Sequence, residues 1–296
     1  MHRFLLHNDE VQDAAKRTAS PGQTGLMNGW GVFSTLRVQD GVLFAWERHW
    51  VRMSEDAAKL GVPFPASPEW MLERLFSLLE ANAVRSGTLR IAVVRNHGGT
   101  FEGPGIDRPF DLFAFTAGLA DWGLSARLAV KANARHAACE FAGAKVTSWA
   151  FNLAWYEEAH RLGFDEFLLL NEHGEVCECT SANVFAVFDG EVLTPPLGAG
   201  CLPGVTRALL LEEISVPGVR VRERTLTLSD LERADCVFLT SSTRDVMPVS
   251  SVDGLKVNAV QSTARVLGDE LAKYRRRYTD ENAGQFAGLA ARKLRQ

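Results

Sequence analysis

Lys145, in the small and apolar stretch CEFAGAKVTSWAFN, is a residue of this 296-residue chain that could serve as an amine nucleophile. Partial loss of water disfavours the ammonium form, lowers the pKa and makes the amine more reactive. The same setting also suits a lysine that lays its stem on apolar surface and sends its head to water, and the local pattern leaves both readings open. A second stretch, ECTSANVFAVF from Glu178, sets an acid, two hydroxyls and an amide (Glu178, Thr180, Ser181, Asn183) against the alternating run VFAVF. That run reads as a half-buried strand, so something polar must meet the residues beside it.

Composition bounds what these residues can belong to. With 46% hydrophobic residues the chain is long enough for one large core or two modest domains, burying roughly 70–75% of its unfolded surface. Its 32 Lys+Arg against 36 Asp+Glu give a net charge of -4, which argues against nucleic acid or an anionic membrane as the main partner. Local arginines can still meet a small anion. The cysteines, Cys139, Cys177, Cys179, Cys201 and Cys236, are odd in number and lack zinc spacing, so no metal and a reducing compartment are expected. If CEC is strand, Cys177 and Cys179 share a face. MHRFLLHNDE has too short an apolar part for a signal peptide, no stretch has the apolar length of a membrane helix, and the cytoplasm follows as the default.

The elements that must position these residues are readable in outline. FLLHNDEVQ and VFSTLRVQDGVLFAW predict hairpins turning at Asn8-Asp9 and Asp40-Gly41. RHWVRMSEDAAKLG brings Trp50, Met53, Ala57 and Leu60 to one helical face and stops at Gly61, and EWMLERLFSLLEANAV repeats the helical spacing. TLRIAVVRN and FDLFAFTAG return as strands around a glycine- and proline-rich loop, 96–109, long enough for mobility or ligand contact. After ARLAVKAN come a helical AFNLAWYEEAHRLG, the strand pair DEFLLLNEHGEVCEC, the strand ANVFAVFDG, a helix TRALLLEEI, and strands VRVRERTL and CVFLTSS. These predict an α+β chain with a smaller domain, 1–120, and a larger one, 121–296, joined between Gly118 and Ser125. The charged tail from Leu271 reads as a solvated terminal helix with a frayed end, or as a binding arm.

GVFSTLRVQDG, ERHWVRM, AKVTSW, GFDEFLLLNEHGEVCECTSANVFAV, LTPPL, CLPGVTR and DCVFLTSSTRDVMPV occur in an order and spacing that resemble the class IV aminotransferases. These are pyridoxal-phosphate enzymes of fold type IV, including branched-chain and D-amino-acid aminotransferases and 4-amino-4-deoxychorismate lyase. The resemblance, from about Phe4 to about Arg276, implies an α+β fold type IV enzyme with pyridoxal 5'-phosphate as cofactor. It implies Lys145 as the lysine that holds the cofactor and moves the substrate α-proton, and Glu178 as the acid facing the pyridine nitrogen. It assigns the larger C-terminal domain the lysine, and Arg52, rather than Arg48, the cofactor phosphate, where a guanidinium fork suits the oxygens. Val205 and Thr206, opening a helix after LPG, offer free N–H groups and a hydroxyl to the same phosphate, as does Ser242, with Thr243 beside it. Asn183 is expected as structural support through backbone hydrogen bonds, with direct cofactor contact as the alternative, and Thr180 as a carboxylate partner or a local cap. A homodimer is implied as well, with Phe101, Trp122 and Trp149 either contact aromatics or core.

The resemblance specifies cofactor more closely than reaction. Branched-chain enzymes read Phe-Glu-Gly where this chain has Phe33, Ser34 and Thr35, and carry a tyrosine where it has Ala150; Trp149 or Asn152 are candidates to compensate. D-amino-acid enzymes place an arginine and a histidine where this chain has Thr100 and Glu102. FSTLR resembles instead the hydroxyl-rich pattern of aminodeoxychorismate lyases, and Arg244 is a candidate for a substrate carboxylate, its bland alternative being a pair with Asp245 or Glu223. The expectation is therefore a lyase forming 4-aminobenzoate and pyruvate. The alternatives are a transaminase for branched-chain or related amino acids and, last, a cofactor-binding protein without turnover.

Overall fold

The computed structural model describes residues 1–16, 19, 22–100, 106–255, 257–258 and 262–293, with side chains of the last helix to Gly284. Phe101 and Glu102, singled out in the 96–109 loop, lie outside the described residues. The chain forms two units: Met1–Ala120 with Ala144–Trp149 and Arg275–Gln296, and Asp121–Gly143 with Ala150–Tyr274. This differs from the sequence expectation in one respect that matters for chemistry. The segment carrying Lys145 belongs with the N-terminal residues, not with the larger C-terminal portion, because it bonds to an N-terminal strand.

The first unit contains β1 (Phe4–His7), β2 (Glu10–Asp13), α1 (Thr24–Asn28), β3 (Gly31–Gln39), β4 (Val42–Leu43), α2 (Trp46–Leu60), α3 (Pro68–Ala81), β5 (Gly87–Arg95) and β6 (Phe110–Ala117). Its strands make one antiparallel sheet in the order β2-β1-β6-β5-β3-β4. Asn8 (φ 55) and Asp40-Gly41 (φ 51 and 83) turn the two hairpins in left-handed conformations. Period-2 alternation sends Val32, Leu36 and Val38 of β3, with Leu89, Ile91 and Val93 of β5, into a core shared with Met53 and Ala57 of α2 and Met71, Leu75 and Leu79 of α3. Ser67 caps α3 by accepting the Trp70 N–H, with Pro68 at the first helical position. Ser34 lies on this core face by the same alternation, and Phe33 and Thr35 on the other.

The second unit contains β7 (Ala126–Arg135), α4 (Ala150–Arg161), β8 (Glu166–Asn171), β9 (Val176–Cys179), β10 (Asn183–Phe188), β11 (Glu191–Thr194), α5 (Val205–Glu212), β12 (Arg220–Glu223), α6 (Leu228–Arg233), β13 (Cys236–Ser241) and β14 (Asp245–Val252). A last helix, α7 (Ser262–Lys293), contributes its residues to Tyr274 here and the remainder to the first unit. The eight strands form a mixed sheet in the order β12-β11-β10-β13-β14-β7-β8-β9. β10 is not the half-buried strand its alternation predicts: Asn183 through Val187 are all buried, since β10 is an interior strand flanked by β11 and β13 and covered on both faces. Phe185 stacks on Phe238 of β13 at 4.9 Å.

Cys177 and Cys179 do not share a face either. The β8–β9 register pairs Leu169 with Glu178 but Leu170 with Val176, so Cys177 is the extra residue of a bulge. Cys177 packs with Ala199 and Cys201, whereas Cys179 joins the main core of the unit. Burial pushes the Cys177 and Cys201 thiols up to about 12, and all five cysteines are free.

Candidate active site

The residues singled out by sequence fall into two sets, one within each unit. In the first, residues 144–149 run along β3: the Phe33 N–H donates to the Lys145 carbonyl at 3.0 Å, the Thr147 N–H to the Gly31 carbonyl at 2.9 Å, and Val146 bridges Val32. Gly31 permits this approach, because a Cβ there would stand 2.6 Å from the Val93 carbonyl oxygen and 3.1 Å from the Thr147 hydroxyl. The Lys145 N–H donates to the buried Asp56 at 3.1 Å. Its side chain directs Nζ over the rings of Phe33 and Trp149, 4.6 Å from each centroid. These two rings meet edge to face at 5.4 Å.

Arg90, opposite Thr35 in the β3–β5 register, lays its guanidinium over the same Phe33 ring at 4.2 Å. Burial lowers its pKa, and among the described residues no carboxylate pairs with it. A desolvated cation of this kind suits a carboxylate ligand.

Arg52 points from α2 to the core face of β3. Its Nη2 donates to the Ser34 hydroxyl at 2.7 Å, and that hydroxyl lies 2.8 Å from Nδ1 of the buried His49. Arginine only donates, so Ser34 accepts from Arg52, and in its contact with His49 the hydroxyl donates or accepts according to the imidazole tautomer. The imidazole is held neutral by its surroundings. His49 is held well below its usual pKa by burial first, then by Arg52 and Lys145. Burial brings Arg52 itself down to about 10 against the pull of Asp56, and its buried Nε has no hydrogen-bond partner. A buried guanidinium with a donor to spare fits an anion rich in acceptor oxygens, such as a phosphate.

In the second unit Glu178 is buried at the end of β9. Arg135 Nε donates to its Oε1 at 2.9 Å and the Leu202 N–H to its Oε2 at 3.0 Å. Arg135 in turn reaches Asn152 Oδ1 at 3.2 Å, and Asn152 Nδ2 donates to the Thr180 carbonyl at 2.7 Å. Each carboxylate oxygen keeps a second lone pair, so the acid can also accept from a ring N–H. Asn183 donates to the Leu202 carbonyl at 2.9 Å and so holds the bend that supplies that N–H. Gly204 ends the bend; a Cβ there would come within 2.0 Å of Asn183 Oδ1. Val205 and Thr206 open α5 directly after Gly204, which offers no side-chain cap, leaving first-turn N–H groups for an anion.

Residues 242–244 form the turn joining β13 to β14, with Ser241 opposite Asp245. Ser242 and Thr243 lie in it. Arg244 does not pair with Asp245 or Glu223. It forms a buried ion pair with Glu166, Nη2 to Oε1 at 2.6 Å, and stacks over Trp122 at 3.9 Å. Glu223 pairs with Arg207. Thr180 and Ser181 both donate to Glu166, which answers what the hydroxyls after Glu178 meet. Of the two candidates to replace the tyrosine absent at Ala150, Trp149 stands beside the lysine ammonium and Asn152 braces Arg135.

Several of these residues carried no signal in the sequence as read above: Arg135, Glu166, Asp56 and Arg90 look like ordinary strand or helix residues. His49 and Ser34 had a usable signal. His49 precedes Arg52 by three residues on one helical face, and Ser34 alternates with the apolar Val32, Leu36 and Val38.

Among the described residues the chain has the two sheets and seven helices of an α+β fold, the fold of its structural neighbours, the fold type IV aminotransferases. The sequence profile described as Amino-transferase class IV matches residues 31–252, and the chain belongs to that family, whose members use pyridoxal phosphate. It is 28% identical over 276 residues, 92% of this chain and 94% of the other, to a provisionally named branched-chain-amino-acid aminotransferase of Methanocaldococcus jannaschii. It is 26% identical over 259 residues, 86% and 90% of the two chains, to a D-alanine aminotransferase of Bacillus licheniformis. Among solved structures it is similar to the Escherichia coli branched-chain amino acid aminotransferase, with TM-score 0.84, 23% identity and coverage of 93% and 95%. It is similar also to a Legionella pneumophila protein provisionally named 4-amino-4-deoxychorismate lyase, with TM-score 0.77, 25% identity and coverage of 87% and 97%. No helix among the described residues is long and apolar enough to cross a membrane.

Proposed function

We propose that this enzyme is a transaminase that moves an amino group between a branched-chain or related amino acid and a 2-oxo acid. In this reading Lys145 would hold the cofactor and would take and return the substrate α-proton. Glu178, paired with Arg135, would keep a proton on the pyridine nitrogen. The family resemblance assigns Arg52, Ser242, Val205 and Thr206 to the phosphate, and Arg90 is available to a substrate carboxylate over Phe33. Bound pyridoxal phosphate supplies the electron sink for charge developing at the α-carbon. A homodimer and a cytoplasmic location belong to the same reading through the family resemblance.

The observation that carries the preference over a lyase is the engagement of Ser34 and Arg244. The lyase expectation rests on the hydroxyl-rich FSTLR pattern, of which Ser34 is part, on the small-residue HGG loop and on Arg244 as a candidate carboxylate ligand. Ser34 faces α2 and is taken up by His49 and Arg52, and Arg244 is buried on Glu166. Neither is arranged as a substrate contact, so the order of the two readings reverses, in agreement with the aminotransferase names of the relatives. The lyase keeps its place as a second reading through the Legionella similarity.

The test is the absorption spectrum of the cofactor-loaded protein as L-leucine, L-glutamate and D-alanine are added separately without a 2-oxo acid. Loss of the visible band with L-leucine or L-glutamate, restored by a 2-oxo acid, is the expected result. A band that no amino acid bleaches, with pyruvate and 4-aminobenzoate released from aminodeoxychorismate, overturns it in favour of the lyase. Bleaching by D-alanine alone overturns it in favour of the opposite stereochemistry. Borohydride reduction and peptide mass analysis test whether Lys145 is the attachment point.

A further inference from the structure

The buried pair of Arg244 and Glu166 joins two segments of the second unit that the proposed function assigns to opposite ends of one cofactor. Arg244 closes the 242–244 turn, and its own N–H donates to the Ser241 hydroxyl at 3.1 Å. Its side chain is 2% exposed and that of Glu166, the first residue of β8, 0%. Glu166 receives Arg244 on Oε1, the Thr180 hydroxyl on Oε2 and the Ser181 hydroxyl on Oε1. Thr180 and Ser181 come two and three residues after Glu178. The Thr180 carbonyl is held by Asn152, which accepts from Arg135, the partner of Glu178. One connected series of polar contacts thus runs from the turn bearing Ser242 and Thr243 to the acid at the end of β9.

Stability does not account for this arrangement. Burying two charges costs much of what their attraction returns, and apolar residues of equal volume often do as well or better. The cost is visible here: Arg244 Nε and Nη1 and the Trp122 indole N–H are buried without hydrogen-bond partners, and burial raises the Glu166 pKa against the opposing pull of Arg244 and Ser181. What the pair supplies is geometry. A planar guanidinium held between the Trp122 face and one carboxylate oxygen has little freedom left, and it fixes the backbone of the turn to which it belongs.

We propose that Arg244 and Glu166 are positioning residues that set the 242–244 turn relative to the Glu178 segment, matching the protein to the distance between a cofactor's phosphate and its ring nitrogen. Arg244 acts through Ser242 and Thr243 and does not bind substrate. The proposal rests on the pyridoxal-phosphate reading of the site.

The experiment compares the affinities of pyridoxal phosphate and of pyridoxal, which lacks the phosphate, by absorbance titration of the full chain and of its R244M, R244K, E166Q and E166Q/R244M variants. Trapping of the cofactor on Lys145 in the unsubstituted chain is done first; its failure would sink the functional reading itself and leave the pair's role to fall with it. With that attachment established, R244M and E166Q are each expected to weaken pyridoxal phosphate about tenfold or more while changing pyridoxal about twofold or less, the size typical of residues that orient a ligand's direct partners. The double variant should lose no more than the worse single one, because the two side chains act as a unit. If R244M does not fold, R244K and E166Q, which retain volume, carry the comparison. Equal losses for both ligands would reduce the pair to a stabiliser of the fold. Unchanged affinities in every folded variant, or a raised substrate KM with cofactor discrimination intact, would overturn the proposal, the latter by making Arg244 a substrate ligand.

Discussion

Arg135 and Glu178 form a buried ion pair, with Nε 2.9 Å from Oε1 and side-chain exposures of 17% and 8%. Removing the arginine leaves a carboxylate in a poorly hydrated place with only the Leu202 N–H for a partner. Arg135→Met is expected to lower the unfolding free energy by about 3 kcal/mol, as for other broken buried pairs. Urea denaturation of the apoprotein measures this. A loss under about 1 kcal/mol would mean that water reaches the acid and that the pair behaves as an exposed one.

Glu178→Gln keeps the shape of the acid and removes its charge. The variant should still bind the cofactor on Lys145, because attachment does not depend on the ring nitrogen. Turnover should fall by about 10²-fold or more, the usual effect of deleting an electrostatic partner of developing charge. Borohydride trapping and steady-state kinetics on the same preparation separate the two effects, and turnover within about threefold of the parent would remove Glu178 from its assigned role.

His49 gives the first unit a pH signature. Its folded pKa lies well below the ordinary 6.5, owing first to burial and then to Arg52 and Lys145. A lowered folded value means that the unfolded chain binds the extra proton first. The contribution is therefore full above about pH 6.5 and declines as pH falls toward the folded value. His49→Gln, whose amide oxygen can accept from Ser34 without titrating, should flatten the stability profile between pH 7 and 5. His49→Ala should instead cost about 1–3 kcal/mol at every pH by leaving Ser34 and Arg52 short of a partner. Thermal melts across that range decide it: parallel profiles for the parent and His49→Gln would contradict the neutral imidazole.

Asp111 gives the same unit an acid limb. Burial alone would raise its pKa, but hydrogen bonds from His7, Asn8 and Asn96 outweigh that and hold it at about 2, below the ordinary 3.8. Here the folded value is depressed for an acid, so the stabilisation is present above about pH 3.8 and is lost as pH falls through about 2. Asp111→Asn should melt below the parent at pH 7, with the gap narrowing from about pH 4 and closing only below about pH 2. A gap that stays constant would mean the carboxylate is not the group that ties Asn8 and Asn96 together.

Much of this molecule was legible in the chain. Asp40-Gly41 fixed a hairpin because both positions need left-handed backbone, and the spacing of Trp50, Met53, Ala57 and Leu60 fixed the core face of α2. Motif order gave the family and the α+β class, and its resemblance gave Lys145, Glu178 and Arg52 their proposed roles. The tertiary structure decided the rest, for one physical reason: alternation and helical spacing say which residues share a face, whereas partners distant in sequence depend on strand order and register. Pairing with β3 put Lys145 in the first unit, and one bulged residue turned Cys177 away from Cys179. Arg244 read as a candidate for a substrate carboxylate and Ser34 as one hydroxyl of the FSTLR pattern, and only the fold gave them their partners, Glu166 for the one and His49 with Arg52 for the other.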